Sequence, residues 1–214
     1  MTDELVLYTH PFSRGRTARW MLEEVGVPYR SVILDYGTSM KAPDYLAINP
    51  MGKVPALTHN GMVVTECAAI LAYLADAFPT AALAPPPGDP ARGAYYRWLF
   101  FGAGPIEAAS TSRALGLEVP PEKSAMAGFG SIDLVVSTLD ATLQRQPYLI
   151  GDRFTAADLF IASQLYWTTQ YNMLPALPSF QAFINRAIAR PAAVRAAAID
   201  DALVKDHPLP DMPA

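Results

Sequence analysis

Hydrophobic positions in the first 80 residues follow two different periods. Short apolar runs at residues 5–8 and 29–34 predict two β-strands, and the first strand is expected to be buried on both faces. Apolar residues between these runs recur at three- and four-residue spacing, which predicts a helix that begins near Ser13 and ends at Gly26. The apolar positions of this helix are Ala18, Met21, Leu22 and Val25.

A β-hairpin is predicted at residues 54–64. Asn60-Gly61 between two apolar runs is a strong signal for a two-residue turn. Pro55 cannot donate a ladder hydrogen bond, so it belongs at a sheet edge or a strand start and is a candidate for a cis peptide bond. Either arrangement leaves the N–H and C=O of Val54 available to an extended peptide.

The residues after the hairpin predict an anion site. Thr65 can cap a helix, and Glu66 and Cys67 then fall in its first turn, where unpaired backbone N–H groups attract negative charge. An exposed peptide edge beside such a helix start is suited to a short acidic peptide. Apolar residues continue this helix at helical spacing, namely Leu71, Leu74 and Phe78.

The composition changes sharply at Pro79. Residues 81–89 are rich in proline and alanine and predict a linker. Asp89 and Pro90 then restart the helical pattern, and the glycines and proline at 102–105 predict a bend in the first long helix. The apolar stripes of later helices cover residues 126–143 and 180–188.

These patterns predict an α/β domain followed by an all-α domain. Residues 1–80 are expected to form a mixed sheet with helices on both faces, residues 81–89 a linker, and residues 90–214 an all-helical domain. In the second domain, Thr155 and Asp158 have the spacing of a capping box at a helix start.

Composition narrows the class of protein. The chain has 214 residues and a net charge of −4, which argues against a general nucleic-acid binder. Its single cysteine excludes an internal disulfide framework and favours a reducing compartment. The N-terminus lacks the basic stretch of a signal peptide, and no apolar run approaches the roughly 20 residues of a membrane span. We therefore expect a cytoplasmic protein with no membrane partner.

The pairs Val54-Pro55 and Glu66-Cys67, at this spacing, resemble the glutathione transferase superfamily, which has a Val-Pro before its third strand and a Glu-Ser before its second long helix. The departure is Cys67, because a thiol is a weaker hydrogen-bonding group than a hydroxyl. Residues 151–159 are similar to the capping-box segment of the family's helical domain. The resemblance implies a thioredoxin-like first domain, a helical substrate-binding domain and a homodimer.

The family activates the thiol of glutathione in the loop after the first strand, and two residues compete for that role here. The free thiol has a pKa of about 8.5 and must be held as a thiolate. Ser13 matches the catalytic serine of serine-type members, or it only caps the helix. In a shifted register His10 replaces the redox cysteine of omega-type and glutaredoxin-like members and is a direct partner of the sulfur, or it is a loop histidine with a water or backbone partner. Arg14 and Arg16 attract an anionic substrate, or they are solvated surface charges.

For glutathione itself, the resemblance implies a set of contacts around the hairpin. Glu66 would receive the γ-glutamyl ammonium, and the backbone of Val54 would hold the cysteinyl part. The backbone N–H of Cys67 would contact the γ-glutamyl carboxylate. Lys53 would reach the glycyl carboxylate, with Lys41 as a weaker candidate. The predicted glutathione-binding residues are Lys41, Lys53, Val54, Pro55, Glu66 and Cys67.

The second substrate is expected between the domains, where ligand pockets usually form. Aromatic side chains could form an apolar wall there, although aromatics at helical spacing are also typical of a core. An apolar wall implies a small hydrophobic electrophile. The three histidines have no metal-ligand spacing, so no metal is expected. The aromatic candidates are Phe12, Trp98, Phe101, Tyr166 and Trp167.

The primary interpretation is a cytoplasmic, homodimeric detoxification enzyme that conjugates glutathione to a small hydrophobic electrophile. Two alternatives stay open. One is a non-catalytic binding or scaffold protein of the same fold, which Cys67 in place of serine favours. The other is a glutathione-dependent isomerase or reductase that uses the same site.

Overall fold

The computed structural model describes residues 4–209. These residues form two compact units, one made of residues 4–81 with 190–209 and the other of residues 82–189. The predicted order of an α/β part and a helical part is confirmed. The second unit is shorter than the predicted domain 90–214, because the last helix packs with the first unit. As boundaries of functional domains, the predicted linker and its flanks stay a prediction.

The elements follow one another in the order strand, helix, strand, helix, hairpin and then helices. The strands are β1 (Leu5–Thr9), β2 (Arg30–Ile33), β3 (Ala56–His59) and β4 (Met62–Thr65). The helices are α1 (Gly15–Val25), α2 (Pro43–Leu46), α3 (Cys67–Ala77), α4 (Ala91–Phe101), α5 (Glu107–Ala114), α6 (Ile132–Leu143), α7 (Ala156–Gln170), α8 (Pro178–Ile188) and α9 (Pro191–Leu203).

The first unit is built on a mixed sheet with strand order β2-β1-β3-β4. β1 runs parallel to β2 and antiparallel to β3, and β3 and β4 form an antiparallel hairpin. Leu7 of β1 lies opposite Leu57 of β3, and both are completely buried. The other face of the sheet carries Tyr8, which packs with Tyr45 and Met40. The sheet therefore has a core on each face, as predicted.

The turn of the β3–β4 hairpin lies at Asn60 and Gly61, as the local sequence predicts. Asn60 and Gly61 have φ angles of 51° and 84°, which a two-residue turn of this kind requires, and His59 is paired with Met62. The peptide bond between Val54 and Pro55 is cis, and β3 begins at the next residue. Both the turn and the strand start are where the sequence predicts them.

Two helix starts differ from the prediction. The predicted N-cap of α1 is Ser13, whereas the observed N-cap is Arg14, one residue later, and α1 begins at Gly15, whose N–H the Ser13 hydroxyl accepts. α3 begins at Cys67, one residue later than predicted, since the β3–β4 ladder extends through Thr65. Glu66 takes the N-cap position instead.

Ion pairs join α1 to α9. At the centre, Arg19 is 2% exposed and Asp200 is fully buried, with 2.8 Å between the Arg19 Nε and Asp200 Oδ1 atoms. The Arg19 guanidinium also donates to the Ser31 hydroxyl at 2.9 Å. Because low residue numbers on α1 pair with high numbers on α9, the two helices are antiparallel. The flanking pairs are Arg16–Asp201, Glu23–Arg195 and Glu24–Arg190.

The second unit is organised around α7, which is buried on nearly all sides. The predicted capping box at its start is confirmed: Asp158 accepts from the N–H and the hydroxyl of Thr155, both at 2.8 Å. Asp158 also accepts from the N–H of Leu149 at 2.7 Å, so it ties the preceding loop to the helix. Burial raises the pKa of Asp158 to about 6, although these three bonds oppose the rise.

A π-helical segment, Gly102–Ile106, joins α4 to α5 at the predicted bend. Pro105 within it has no N–H to donate. The Gln164 side chain on α7 donates to the Gly102 carbonyl at 3.0 Å, and a Cβ atom on Gly102 would lie 2.6 Å from the Phe160 ring. The close approach of α7 therefore requires glycine at this position.

The later helices contain one correction. The predicted apolar stripe at 126–143 begins only at Ile132, since Met126 lies in a short 3-10 helix and is 84% exposed. Among the described residues after 90, the isolated bridge between Tyr148 and Gly151 is the sole extended pairing. None of the helices within residues 4–209 combines the length and the hydropathy that a membrane span needs.

Replacing Asp200 with alanine is expected to lower the free energy of unfolding by about 3–5 kcal/mol, because the Arg19 guanidinium would stay buried without its carboxylate. The matched control is Asp201→Ala, which removes an exposed carboxylate of the next ion pair and should cost less than about 1 kcal/mol. Urea unfolding followed by circular dichroism measures both changes. Equal losses in the free energy of unfolding for the two variants would show that the buried ion pair stabilises the fold no more than the exposed one.

The raised pKa of Asp158 predicts a pH-dependent stability. In the folded chain this carboxyl group holds its proton up to about pH 6, against an ordinary pKa of 3.8. Its contribution is therefore complete below pH 3.8 and is lost as the pH rises through about 6, by about 3 kcal/mol. Unfolding of the wild type and Asp158→Asn should be compared from pH 4 to 7.5 at constant ionic strength. The wild type is expected to lose stability relative to the variant across this range, and parallel curves would contradict the raised pKa.

Candidate functional site

The loop after β1 carries both candidates for the activating residue. His10 is completely buried, and its Nδ1 atom accepts the N–H of Phe12 at 3.1 Å. This bond assigns the ring proton to Nε2 in the neutral form. Burial lowers the pKa of His10, with the Asp35 carboxylate opposing the shift and His207 adding to it. His10 is thus a neutral loop histidine with a backbone partner, which is one of the two alternatives that the sequence left open.

The Ser13 hydroxyl makes two hydrogen bonds inside the same loop. It donates to the His10 carbonyl at 2.7 Å and accepts the N–H of Gly15, the first residue of α1, at 2.9 Å. The half-buried hydroxyl therefore lies at the positive end of a helix, where negative charge is favoured. To donate to another group, its proton must leave the His10 carbonyl.

Two further side chains hold the carbonyl groups of this loop. Arg16 donates from Nε to the Pro11 carbonyl at 2.5 Å and from Nη2 to Asp201 at 2.7 Å. The Tyr36 hydroxyl donates to the Phe12 carbonyl at 3.1 Å. Arg16 is consequently engaged within the protein, and neither alternative from the sequence, a substrate-attracting charge or a solvated one, describes it.

Gly15 is required by the packing of the loop against β1. A Cβ atom at this position would lie 1.9 Å from the Thr9 Oγ1 atom and 2.9 Å from the Ser13 Oγ atom. Neither neighbour can move far, since Thr9 is buried in β1 and Ser13 is bonded in the loop. The sequence reasoning did not single out this glycine.

The segment before the cis peptide is held by side chains. The Lys41 ammonium donates to the carbonyls of Met51 and Gly52 at 3.2 and 3.0 Å. The carbonyl of Lys53 accepts from the Tyr45 hydroxyl at 2.5 Å and from the Asn49 amide at 2.8 Å. The ammonium of Lys41 is thus part of the loop, whereas the side chain of Lys53 is exposed.

Val54 and Glu66 present polar groups at the hairpin. Within residues 4–209 the peptide groups of Val54 make no backbone hydrogen bond. Glu66 has a φ of 67°, which is uncommon for a residue other than glycine, and its exposed carboxylate has no partner within the same range. The 11-residue helix α3 begins at the next residue and directs its first N–H groups toward the same end.

Cys67 joins this region to the loop after β1. Its buried thiol lies 3.9 Å from the carbonyl oxygen of Arg14, to which it donates a weak hydrogen bond. The start of α3 therefore lies against the start of α1, and the structure brings the Ser13 loop and the Cys67 helix start together. This proximity joins two sets of residues that the sequence predicts separately.

The aromatic candidates are distributed over both units. In the first unit, Phe12 is half-buried. In the second, Trp98 is 2% exposed and its indole N–H donates to the Leu149 carbonyl at 3.1 Å, so Trp98 is a core residue. Phe101 packs edge-on against Trp98, and Tyr166 packs edge-on against Trp167. A substrate role for these side chains stays a prediction.

Several residues near the loop carried no sequence signal. Asp35 and His207 lie 2.8 Å apart between Oδ1 and Nδ1, and the same carboxylate oxygen lies 4.0 Å from Nε2 of His10. Tyr36 and Asp201 contact the loop or its anchor directly. These residues are far from the loop in the chain, so local patterns could not reveal them. Within residues 4–209, no group of three acidic, histidine or cysteine side chains could hold a metal ion.

Family models match most of both units. The model described as "Glutathione S-transferase, N-terminal domain" matches residues 3–76, and the model described as "Glutathione S-transferase, C-terminal domain" matches residues 96–191. This chain belongs to the glutathione S-transferase family. As a member of that family it is a transferase, and its thioredoxin-like and helical parts are those of the family fold.

Curated relatives agree with this assignment. Glutathione S-transferase GST-4.5 of Xanthomonas campestris is 29% identical over 189 residues, covering 86% of this chain and 92% of that protein. Glutathione S-transferase GstA of Escherichia coli O157:H7 is 31% identical over 189 residues, covering 86% and 93%. Maleylacetoacetate isomerase of Pseudomonas aeruginosa is 29% identical over 197 residues, covering 87% and 92%.

Solved structures of the glutathione S-transferase family have the same fold. A glutathione transferase from Methylococcus capsulatus superposes with a TM-score of 0.78 at 30% identity, covering 92% of this chain and 99% of that one. A sphingomonad glutathione S-transferase complexed with glutathione has a TM-score of 0.74 at 28% identity, covering 92% and 98%.

Replacing Gly15 with alanine is expected to destabilise the protein by about 1–3 kcal/mol, because the added methyl group overlaps the Thr9 side chain. Gly93→Ala is the matched control: Gly93 lies within α4 and its added Cβ meets open space, so the change should stabilise by up to about 1 kcal/mol. Thermal unfolding of both variants measures the difference. If Gly15→Ala leaves the stability unchanged, the loop and β1 can move apart to accept the methyl group without a loss of stability.

Proposed function

We propose that this transferase binds glutathione in its first unit and adds the glutathione sulfur to a small, hydrophobic electrophile. The observation that carries the proposal is the contact between the Cys67 thiol and the Arg14 carbonyl. This contact places the start of α3, which is suited to a carboxylate, beside the loop that carries the Ser13 hydroxyl. That hydroxyl can reach a sulfur atom. A tripeptide whose middle residue carries the thiol can reach both at once.

The residues around the hairpin fit glutathione. The unpaired peptide groups of Val54 match an extended peptide backbone, as an exposed strand edge does in other peptide complexes. The N–H of Cys67 at the start of α3 suits the γ-glutamyl carboxylate, and this contact needs no side-chain hydroxyl. The exposed carboxylate of Glu66 suits the γ-glutamyl ammonium as a charge-assisted partner.

The two lysines are not equivalent for the glycyl carboxylate. The ammonium of Lys41 already donates to two carbonyl groups of the loop before the cis peptide, and a ligand would have to compete with them. The side chain of Lys53 is exposed, so it can approach a carboxylate without breaking an internal bond. We therefore assign the glycyl contact to Lys53 and a loop-shaping role to Lys41.

Ser13 is proposed to stabilise the thiolate. Bound glutathione supplies the nucleophilic sulfur, which loses its proton to solvent and forms a bond to the electrophilic carbon. The bond from that carbon to its leaving group breaks, and the group departs with the electron pair, as halide does from an aryl halide. The Ser13 hydroxyl would rotate away from the His10 carbonyl and donate to the sulfur, with the N-terminus of α1 adding favourable potential. His10 acts indirectly, since its neutral ring holds the N–H of Phe12 and thereby the shape of the loop.

The remaining features of the proposal rest on the sequence and on the family resemblance. We expect a cytoplasmic homodimer with a role in detoxification. Phe12, Phe101 and Tyr166 are the aromatic side chains that we assign to the electrophile, and each is at least partly accessible. We do not assign Trp98 to the electrophile, because that side chain is buried in the core of its own unit.

A glutathione-dependent isomerase is the second candidate, and the similarity to a maleylacetoacetate isomerase favours it. The same thiolate would add to a conjugated double bond, allow rotation about the resulting single bond, and then leave. The site residues keep the same roles, so only the second substrate distinguishes the two reactions. The scaffold alternative is supported by Cys67 and by the open choice between Ser13 and His10 as the activating residue. The backbone contact proposed for Cys67 weakens the first of these supports.

Glutathione binding by calorimetry, with the thiol pKa followed by thiolate absorbance, tests the proposal. In the wild type the pKa of the bound thiol should fall below its free value of about 8.5. Ser13→Ala should keep binding, raise that pKa, and lower kcat/KM with a model aryl halide on the order of 100-fold, the usual effect of removing one donor to developing charge. Ser137→Ala, an exposed serine on α6, is the control and should change neither quantity.

Each component of the proposal has its own contrary result. No binding to the wild type at millimolar glutathione would leave the scaffold alternative. A thiol pKa that is equally low in Ser13→Ala would assign the stabilisation to the start of α1 alone. Turnover of maleylacetoacetate without conjugation of aryl halides would replace the transferase reaction with the isomerase reaction.

A further inference from the structure

Each carbonyl group of three consecutive loop residues accepts a hydrogen bond from a different side chain. The His10 carbonyl accepts from the Ser13 hydroxyl at 2.7 Å, and the Pro11 carbonyl accepts from Arg16 at 2.5 Å. The Phe12 carbonyl accepts from the Tyr36 hydroxyl at 3.1 Å. Side chains therefore set the path of this backbone, which belongs to no helix or strand.

Arg16 is the donor among these three that reaches into the C-terminal helix. Its Nε and Nη2 atoms lie on one edge of the planar guanidinium, so the Pro11 carbonyl and the Asp201 carboxylate are held in one rigid arrangement. The Arg16 side chain is 20% exposed and that of Asp201 is 66% exposed. An exposed ion pair contributes little to stability, so the geometric constraint matters more than the energy of the pair.

The C-terminal segment reaches the loop at a second point. His207, four residues after the end of α9, lies 2.8 Å from Asp35, and the same carboxylate lies 4.0 Å from the buried ring of His10. Two separate contacts from residues after 200 thus converge on the loop 10–13. Neither contact is needed to complete the core of the sheet.

We propose that Arg16, oriented by Asp201, is a positioning residue for the loop that carries Ser13. α9 thereby determines the geometry of the thiol site from a position 185 residues away in the chain. The catalytic consequence rests on the proposed function, whereas the ordering of the loop does not. Because the chain folds α9 against α1 through other ion pairs, loss of the Arg16 contacts should disturb the loop and leave the helix pair intact.

Arg16→Lys and Asp201→Asn are the test variants, and Arg190→Ala is the matched control. Lysine keeps the charge but cannot hold a carbonyl and a carboxylate in one plane. Asparagine keeps the size of the side chain and removes its charge. Arg190 pairs with Glu24 across the same two helices, about 12 Å along α1 from Arg16, so its loss weakens the helix pair without touching the loop.

The first readout is hydrogen exchange of the full-length chain without ligand. The amides of Phe12, Ser13 and Gly15 all donate inside the loop. In both test variants they should exchange about threefold to fivefold faster than in the wild type, which corresponds to about 0.7–1 kcal/mol of lost local protection. In Arg190→Ala they should exchange at the wild-type rate.

The second readout is kinetic and uses glutathione with a model aryl halide. Arg16→Lys should lower kcat by about tenfold to a hundredfold, as small misplacement of a reacting group does, while the KM for glutathione changes little because its carboxylate and ammonium contacts are intact. The pKa of the bound thiol should rise in parallel. Arg190→Ala should leave kcat and the thiol pKa unchanged.

Two results separate the failure of this inference from the failure of the proposed function. If Arg16→Lys matches Arg190→Ala in exchange and in kinetics, Arg16 is only a helix-to-helix contact and the inference is wrong. If the wild type does not bind glutathione, the proposed function and the catalytic consequence fail together. The exchange data then still decide whether Arg16 orders the loop.

Discussion

The buried pair of Arg19 and Asp200 is the interaction on which the first unit depends. Neither charge is stable alone in the interior, so the pair can exist only when α9 lies against α1. That packing makes the last helix part of the α/β unit, although a helical segment of over 100 residues separates it from the sheet. The same packing brings Asp201 to Arg16, one residue after the start of α1, where the loop with Ser13 ends.

The loop itself illustrates how side chains replace secondary structure. Its carbonyls and N–H groups cannot pair in a ladder or a helix, and buried peptide groups left unpaired are costly. Side chains supply the missing partners from three places: His10 and Ser13 from the loop itself, Arg16 from α1, and Tyr36 from the segment after β2. A rigid loop of this kind can hold a hydroxyl at a helix start without losing that hydroxyl to solvent.

Cys67 shows why a departure from the family pattern need not abolish a site. Its thiol bonds weakly to the Arg14 carbonyl, whereas its backbone N–H lies at the start of α3, where an anion is favoured whatever the side chain. The thiol fills the space between two helix starts that must lie close together. The residue thus joins the helix start proposed to bind glutathione to the loop proposed to hold its thiol.

What the sequence determined by itself is local. The strand runs, the Asn60-Gly61 turn, the end of α1 at Gly26 and the capping box at Asp158 depend on neighbours a few residues away, and the structure has each of them. From the candidate site, the sequence indicated the cis Val54–Pro55 bond and the helix start at Glu66 and Cys67 within one residue.

Tertiary structure decided the rest, because those features depend on residues far apart in the chain. The partners of Arg16 and Arg19 lie 185 and 181 residues away, and a charge in a sequence does not indicate what it will face. Trp98 can be buried in the core because the carbonyl of Leu149, 51 residues away in the chain, accepts the N–H of its indole.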